Sequence, residues 1–588
     1  MKLVFDIETD GFLRKLTTVH CVVAKDIETG EVFKFDDSGR HQSVSSGLTL
    51  LMEAEELWGH NIIGFDVPAI QEIYPFFQPW ESTYYDTLIL SRLFFTDMLD
   101  RDLRSKPANM PGNLYGRHSL EAWGYRLGVL KSEYGKQLHG DWATYTPEML
   151  EYCEQDVEAN LPIVKLFQPK LEQYADAIKT EHDCALVMTR QEQAGFPFDI
   201  DKARALESKL RSELETLSDE MRATFTFVAG KEFTPARNNA TRGYITGCPF
   251  TKLTEFSPTS RDHIAWAFQQ HRGWEPIEMT DTGKPKIDEE VLNAIGTEEA
   301  KKFGRILELQ KHVGMLSEGK NSWLQMVEKD GRIHHSCVLN TATGRNAHMR
   351  PNLAQVPSGH EFRELFTPGE GYVQVGADAS GLELRCLAHY LARFDGGKFG
   401  KVLLEGDIHT DLANIYGTDR KTGKTVTYCL IYGGGDTKLG LSAGEPKKSA
   451  ASRGKKIRQA IMKDLDGFAQ LITAVQERAQ SGVITGIDGR PIRMRKAHAA
   501  LNYLLQSCGA VICKKWVVRS NELLTEAGID YTPLAFVHDE QQLAVRPDQV
   551  EMASTLISLA MKDVEHAIKF RVPLDCDVQS GANWGDTH

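Results

Sequence analysis

The sequence predicts an α/β architecture joined to helix-rich segments, and three observations lead there. Residues 2–5 form a short apolar strand that ends in acids. Residues 373–391 read as strand, turn and helix, and residues 534–545 as a strand, an acidic turn and a second strand. Between them, from Glu181 to about Gln325, apolar residues recur at three- and four-residue spacing among charges, as on amphipathic helices.

A chain of 588 residues is too long for one core and implies three to five packing units. Its 41% hydrophobic and 25% charged residues are those of an ordinary globular protein, which excludes a disordered chain. No apolar run approaches bilayer length, and the first ten residues carry acids where a signal peptide needs an apolar stretch. A cytoplasmic protein without membrane contact is therefore expected. Ten cysteines are scattered without a C-x-x-C pair, which argues against a zinc module or a disulfide framework.

At the N-terminus Asp6 and Glu8 alternate along the first strand and so point to one side. Asp26-Ile27-Glu28-Thr29 repeats the tetrapeptide, but Gly30 and the alternating Val32, Phe33 and Phe35 make it a hairpin turn with its acids in solvent. Asn61 to Asp66 places a further carboxylate after a short apolar run. Thr146-Pro147 opens a helix on which Tyr152 and Asp156 share one face. Four carboxylates and a tyrosine from separate segments fit a two-metal site, the hydroxyl orienting an attacking water. Residues 118–128 read as an amphipathic helix ending at Gly128.

Farther on, helices are expected over 201–225 and 298–316. Val373, Val375 and Ala377 alternate toward Asp378, Gly381 allows a sharp turn, and Leu382, Leu384, Leu387 and Leu391 continue as a helix. The second strand ends in His538-Asp539-Glu540. Two carboxylates on adjacent strand ends can hold divalent ions roughly 3.5–4 Å apart, the geometry for in-line phosphoryl transfer. Between the two motifs Arg420, Lys424, Tyr428 and Tyr432 recur every fourth residue along one helical face, followed by Gly433-Gly434-Gly435. That stripe spans roughly 18 Å, with cations suited to phosphates and rings suited to a base and sugar. Residues 486–490 read as a tight turn.

The net charge of −13 is unusual for a binder of polyanions. Basic residues nevertheless cluster at Lys447, Lys448, Arg453, Lys455, Lys456 and Arg458, and at Arg490, Arg493, Arg495 and Lys496. Each cluster taken alone reads as a solvated surface, but their place between the two acidic motifs points to nucleic-acid contact.

D-A-S-G-L-E-L-R at 378–385 and V-H-D-E at 537–540 resemble the A and C motifs of family A DNA polymerases, in the wording of the phage replicative members. The resemblance runs through nearly the whole chain. The order D-x-E, N-x-x-x-F-D, Y-x-x-x-D also resembles the DnaQ-like 3′-to-5′ exonucleases. The resemblance implies an RNase H-like exonuclease domain, a mixed sheet with helices, over 1–185. A right-hand polymerase with an antiparallel palm sheet follows: helical thumb 186–345, palm 346–408 and 496–588, helical fingers 409–495. It also implies that no 5′ nuclease domain is present.

By the same resemblance Asp6, Glu8, Asp66 and Asp156 hold ions and Tyr152 positions the water. Asp378 and Asp539 hold two Mg²⁺, with Mn²⁺ as a substitute, while Glu540 supports them. Arg420, Lys424 and His409 take the triphosphate, and Tyr428 and Tyr432 line the nucleotide site. Tyr428 lies at the sugar 3′ position, where tolerance of dideoxynucleotides is set, and Glu383 packs with it to exclude a 2′-hydroxyl. Arg345, Asn502, Gln506 and His538 touch DNA, the first three at minor-groove acceptors that every correct pair presents.

The implied partners are primer-template DNA and dNTPs, with a phage helicase-primase and single-strand binding protein. Two departures stand out. Cys429 sits where relatives have glycine, and residues 230–256 are short and poor in lysine where some phage enzymes carry a basic thioredoxin-binding insertion. Thioredoxin is therefore not expected as a partner. Two other readings fit less of the sequence: an exonuclease whose second half only holds DNA, and a host or organellar repair polymerase.

Overall fold

The computed structural model describes residues 1–588 except 80, 130–141, 277, 281 and 495. Arg495 of the second basic cluster lies outside the described residues. Two compact units emerge, one formed by Met1–Pro197 with His334–His588 and the other by Phe198–Ile333. No helix among the described residues is long and apolar enough to cross a membrane.

The first unit begins with a five-stranded mixed sheet in the order β3-β2-β1-β4-β5. Strands β1 (Lys2–Thr9), β2 (Val19–Asp26) and β3 (Val32–Asp36) run antiparallel, while β4 (Glu56–Gly59) and β5 (Thr83–Asp86) add parallel to β1. β1 is apolar on both faces because both are covered. Leu3, Phe5 and Ile7 belong to one core, and Val4 packs with Cys21, Val23 and Trp58 in another. Helix α1 (Asp66–Ile73) follows β4, and α2 (Leu120–Leu127) ends at Gly128 in the left-handed region. Helix α3 (Pro147–Phe167), with proline in its first turn, lays Leu150, Cys153 and Val157 on the Val4 face. Helix α4 (Ala175–Ala194) completes the layer.

The β2–β3 turn forms as expected, but Asp26 is buried rather than solvated. Its carboxylate accepts the Glu28 and Thr29 amides at 2.9 and 2.8 Å, satisfying turn N–H groups that would otherwise lack partners.

The second unit packs α5 (Ile200–Thr224) with α6 (Glu298–Val313) around Met221, Phe225, Phe256, Phe268 and Phe303. It is less purely helical than its periodicity implied. Strands β6 (Phe227–Phe233) and β7 (Phe250–Glu255) form an antiparallel hairpin, pinned by ring contacts among Phe233, Tyr244 and Phe250.

The rest of the first unit centres on a four-stranded sheet in the order β9-β10-β8-β11, antiparallel throughout. Its strands are β8 (Val373–Ala379), β9 (Tyr531–Val537), β10 (Glu540–Val545) and β11 (Cys576–Gly581). Helix α7 (Leu382–Asp395) leaves β8 through Gly381, whose φ of 58° is left-handed. Helix α8 (Arg420–Ile431) is capped by Asp419, which accepts the Thr422 amide at 3.0 Å. Helix α9 (Lys447–Asp464) approaches its neighbour at Gly454, where a β-carbon would fall 1.8 Å from the Asp436 carbonyl. The 27-residue α10 (Ala500–Glu526) runs between these elements and is buried along most of its length.

The basic clusters divide on inspection. Lys447, Lys448, Lys455, Lys456 and Lys496 are exposed. Arg453 instead binds the Tyr416 and Gly417 carbonyls, and Arg458 binds Asp436 and the Gly434 carbonyl. Arg493 binds the Phe94 carbonyl at 2.9 Å and Asp97 at 3.3 Å. Arg490 is buried on Asp488 and Glu181, both at 2.7 Å. These four arginines brace the fold, and Arg490, the buried one, is neutralised where it sits.

Candidate active sites

The first site lies on the α3 side of the mixed sheet. Asp6 and Glu8 share the Val4 face of β1. One ligand atom from each lies within 4.8 Å of the other and of the Cys153 sulfur. The Cys153 thiol donates to the Asp6 carbonyl at 3.2 Å, fixing α3 against β1. Asp156, one turn on, is buried on the same helix. Asp66 opens α1 and is only 4% exposed. Burial pushes its pKa up strongly, Asp86 and Asp156 add to the rise, and the Ile7 amide opposes it. The structure thus brings Asp6, Glu8, Asp66 and Asp156 to one place. Tyr152, half-buried on α3, lies with its ring 6.2 Å from that of Trp142.

Sequence reasoning missed Asp86. It is 1% exposed at the end of β5 and accepts the Asn61 and Ile63 amides at 2.9 and 3.1 Å and that of Leu88 at 2.9 Å. It thereby shapes the turn that delivers Asp66, with Asn61 held left-handed at φ 71°. The signal was available, since Thr83 to Asp86 is a short strand ending in an acid. His182 gave no signal. Its Nε2 accepts the Asp86 amide at 2.9 Å, and its Nδ1 donates to the Ile178 carbonyl.

The second site sits at the end of the antiparallel sheet. Asp378 is cross-strand from Glu540 on one side and Asp577 on the other. Val537 pairs with Glu540, so His538 and Asp539 form a two-residue connection with His538 left-handed at φ 58°. The Ala379 amide donates to the Asp539 carbonyl at 3.0 Å, joining the two motifs through the backbone. Burial raises the Asp378 pKa to about 7, with Asp539 and Glu540 next in effect. Burial and then Glu383 raise that of Asp539. Burial would raise Glu540 as well, but hydrogen bonds from His588, Trp584 and Gln542 at 3.1, 2.5 and 2.6 Å outweigh it and hold it ionised. Glu540 is therefore anchored inward. Its anchors Trp584 and His588, at the end of the chain, had no sequence signal.

Helix α8 presents its stripe beside this site. Tyr428 and Tyr432 stack with centroids 6.4 Å apart, and the His409 ring lies 6.4 Å from Tyr428. Lys424 is exposed, whereas Arg420 is paired with Asp407 at 2.7 Å. The Glu383 carboxylate accepts the Tyr432 hydroxyl at 2.6 Å, with Arg345 3.9 Å away. The tyrosine hydrogen-bonded to Glu383 is thus Tyr432, a contact the sequence did not indicate. Gln506 donates to Asn502 at 3.3 Å, and Asn502 donates to the Ile431 carbonyl at 2.9 Å, so both lie against the end of α8. Arg345, Glu383, His538 and Asp539 line one small cavity with Gly509. Cys429 faces Gly434, where a β-carbon would meet its sulfur at 2.4 Å, so the thiol is accommodated by a glycine one turn away.

The model for DNA polymerase family A matches residues 247–586. The chain is 33% identical to the DNA-directed DNA polymerase of Enterobacteria phage T3 and 32% identical to that of Escherichia phage T7, each over 100% of both chains. Those alignments run to 719 and 715 positions, beyond the 588 residues here, so the relatives carry segments that this chain lacks. The solved POL domain of Pol1 from M. smegmatis, in complex with DNA primer-template and dNTP, superposes with a TM-score of 0.72. It covers 100% of this chain and 96% of that one at 17% identity, a likeness of fold. With matches to family model and full-length relatives alike, the chain belongs to DNA polymerase family A.

Proposed function

We propose that this family A polymerase extends a DNA primer along a template in the 378/539 site and removes mispaired 3′ ends in the 6/8/66/156 site, in copying a phage genome in the host cytoplasm. The observation that carries the reading is the Ala379–Asp539 backbone bond, which sets two aspartates from distant motifs side by side.

The donor sets fit divalent cations. Both sites are hard-oxygen clusters of partly or fully buried carboxylates, and Asp378, Asp539 and Asp66 have pKa values raised first by burial and then by neighbouring carboxylates. Mg²⁺, with Mn²⁺ as a substitute, would be held by Asp378 and Asp539 and by Asp6, Glu8, Asp66 and Asp156. When bound, it supplies acidification of the attacking oxygen and neutralisation of phosphate charge.

The chain's own groups do the positioning. Glu540, fixed by Trp584 and His588, keeps a negative charge behind the metal-holding pair without competing as a ligand. Arg420 exchanges Asp407 for a phosphate, joined by Lys424 and by His409, whose Nδ1 is buried without a hydrogen-bond partner. Tyr428 takes the sugar 3′ side, and Glu383, braced by Tyr432, closes the space of a 2′-hydroxyl. Arg345, Asn502, Gln506 and His538 meet the primer-template end. In the first site Tyr152 orients the attacking water.

The unit Phe198–Ile333 falls within the proposed thumb, 186–345, flanked by exonuclease 1–185, palm 346–408 and 496–588, and fingers 409–495. Helicase-primase and single-strand binding protein remain proposed partners, and the short 230–256 stretch leaves thioredoxin out. The test is a mismatched primer-template incubated with and without dNTPs. Degradation without dNTPs and excision followed by extension with them are expected; absence of extension from a matched primer would sink the polymerase reading.

A further inference from the structure

Strands Ser336–Val338 and Ala347–Met349 form a short antiparallel hairpin in which Cys337 pairs directly with His348. His335 enters just before it. The sequence shows these residues as unconnected, but the hairpin brings one ligand atom from each within 4.8 Å of the others. The Cys337 sulfur and His348 Nδ1 are 3.2 Å apart. His335 is 0% exposed and His348 7%.

The hydrogen bonds define which atoms are available. His335 Nε2 lies 3.0 Å from the Leu534 carbonyl. A carbonyl only accepts, so the ring proton is on Nε2 and the Nδ1 lone pair is left over. That Nδ1 is buried without a partner, as is His348 Nε2. A buried polar atom left unpaired is destabilising and calls for an explanation. A ring tied through one nitrogen to a backbone carbonyl, as His335 is, has the orientation of a metal-binding histidine, and His348 Nδ1 lies beside the sulfur.

We infer that His335, Cys337 and His348 form a site for one borderline or soft transition-metal ion, Zn²⁺ foremost, separate from the two carboxylate centres. Two imidazoles and a thiolate suit zinc and reject magnesium, which prefers hard oxygens. Tetrahedral ligands at about 2.0–2.3 Å from zinc stand roughly 3.3–3.8 Å apart, which small side-chain movements reach from the present spacing. Binding exchanges the Cys337 thiol proton for the metal–sulfur bond, and that proton passes to solvent. Half-buried Cys337 leaves a route in. The ion would tie the hairpin, whose connection carries Arg345, to Leu534 on the strand that leads to Asp539.

Co²⁺ added to chelator-treated full-length protein tests this, because only a thiolate ligand gives a sulfur-to-cobalt charge-transfer band in the near ultraviolet. The expected result is a band saturating at one Co²⁺ per chain, bleached by Zn²⁺ and unmoved by excess Mg²⁺. Cys337→Ser should abolish it with the fold intact by circular dichroism, and His335→Gln should weaken Co²⁺ binding at least about 10-fold. Cys153→Ser, beside the Asp6–Glu8 acids, and Cys248→Ser, at an exposed thiol, should retain it. No band in the wild-type chain, a band surviving in Cys337→Ser, or one lost in Cys153→Ser would overturn the inference.

Discussion

Glu181 and Lys514, 333 residues apart in the chain, meet at 2.6 Å in a place where neither is more than 1% exposed. Arg490 reaches the same carboxylate at 2.7 Å and is itself held by Asp488 at 2.7 Å. Two cations and two anions thus neutralise one another between α4, the Thr485–Pro491 turn and α10.

Glu181→Gln leaves Lys514 and Arg490 together with only Asp488 between them. Stability should fall by about 3–5 kcal/mol, the usual cost of breaking a buried pair. Urea unfolding checks this, and a loss under 1 kcal/mol would show the network to be hydrated.

Asp378→Ala should reduce primer extension to background and spare degradation of single-stranded DNA. Asp6→Ala with Glu8→Ala should do the reverse. Both assays on the same two preparations suffice, and loss of both activities in either variant would dismantle the two-site assignment.

The acids of the synthesis site titrate in a predictable direction. With a folded pKa of about 7 against an unfolded value near 3.9, Asp378 binds more proton folded than unfolded between those limits. Metal-free protein should therefore lose stability as pH rises from about 4 to 7. Mg²⁺ binds the ionised form, so its affinity should rise over the same interval and level off above about 7. Melting curves with Mg²⁺ and with chelator at pH 6 and 8 read this out; a larger Mg²⁺ stabilisation at pH 6 would contradict it.

Tyr428→Phe should reduce incorporation of dideoxynucleotides relative to dNTPs by about 10- to 100-fold, the worth of a hydrogen bond to a charged group, ~1.5–3 kcal/mol. Glu383→Ala should raise ribonucleotide incorporation. Tyr432→Phe, which removes the hydroxyl bonded to Glu383 at 2.6 Å, should do so more weakly. Competition between nucleotides in single-turnover extension separates the three.

With a net charge of −13 and exposed lysines clustered on α9, primer-template affinity should fall steeply with salt. A flat titration between about 50 and 200 mM would place binding elsewhere.

The clustered acids were legible because strand alternation aims side chains at fixed sides: Asp6 with Glu8, and Asp378 at the end of β8. The stripe on α8 was legible through its four-residue period. What the sequence hid depends on pairing across distance. Arg490 was grouped with a basic cluster read as a nucleic-acid contact until Glu181 and Asp488 proved to surround it, and Asp26 looked solvated until its turn amides were counted. Trp584 and His588 reach Glu540 only because β11 lies beside β8. The bond from Tyr432 to Glu383 depends on a side-chain direction that a four-residue period does not give.

The antiparallel sheet also imposes an order on synthesis by the ribosome. β8 pairs on both edges with strands that leave the exit tunnel more than 150 residues later, whereas β1 to β5 lie within the first 86. A nascent chain can thus assemble its mixed sheet well before Asp378 acquires Asp539 as a neighbour. Until then Glu181 also waits for Arg490 and Lys514, so a ribosome stalled short of residue 490 would hold the mixed-sheet layer with one uncompensated acid.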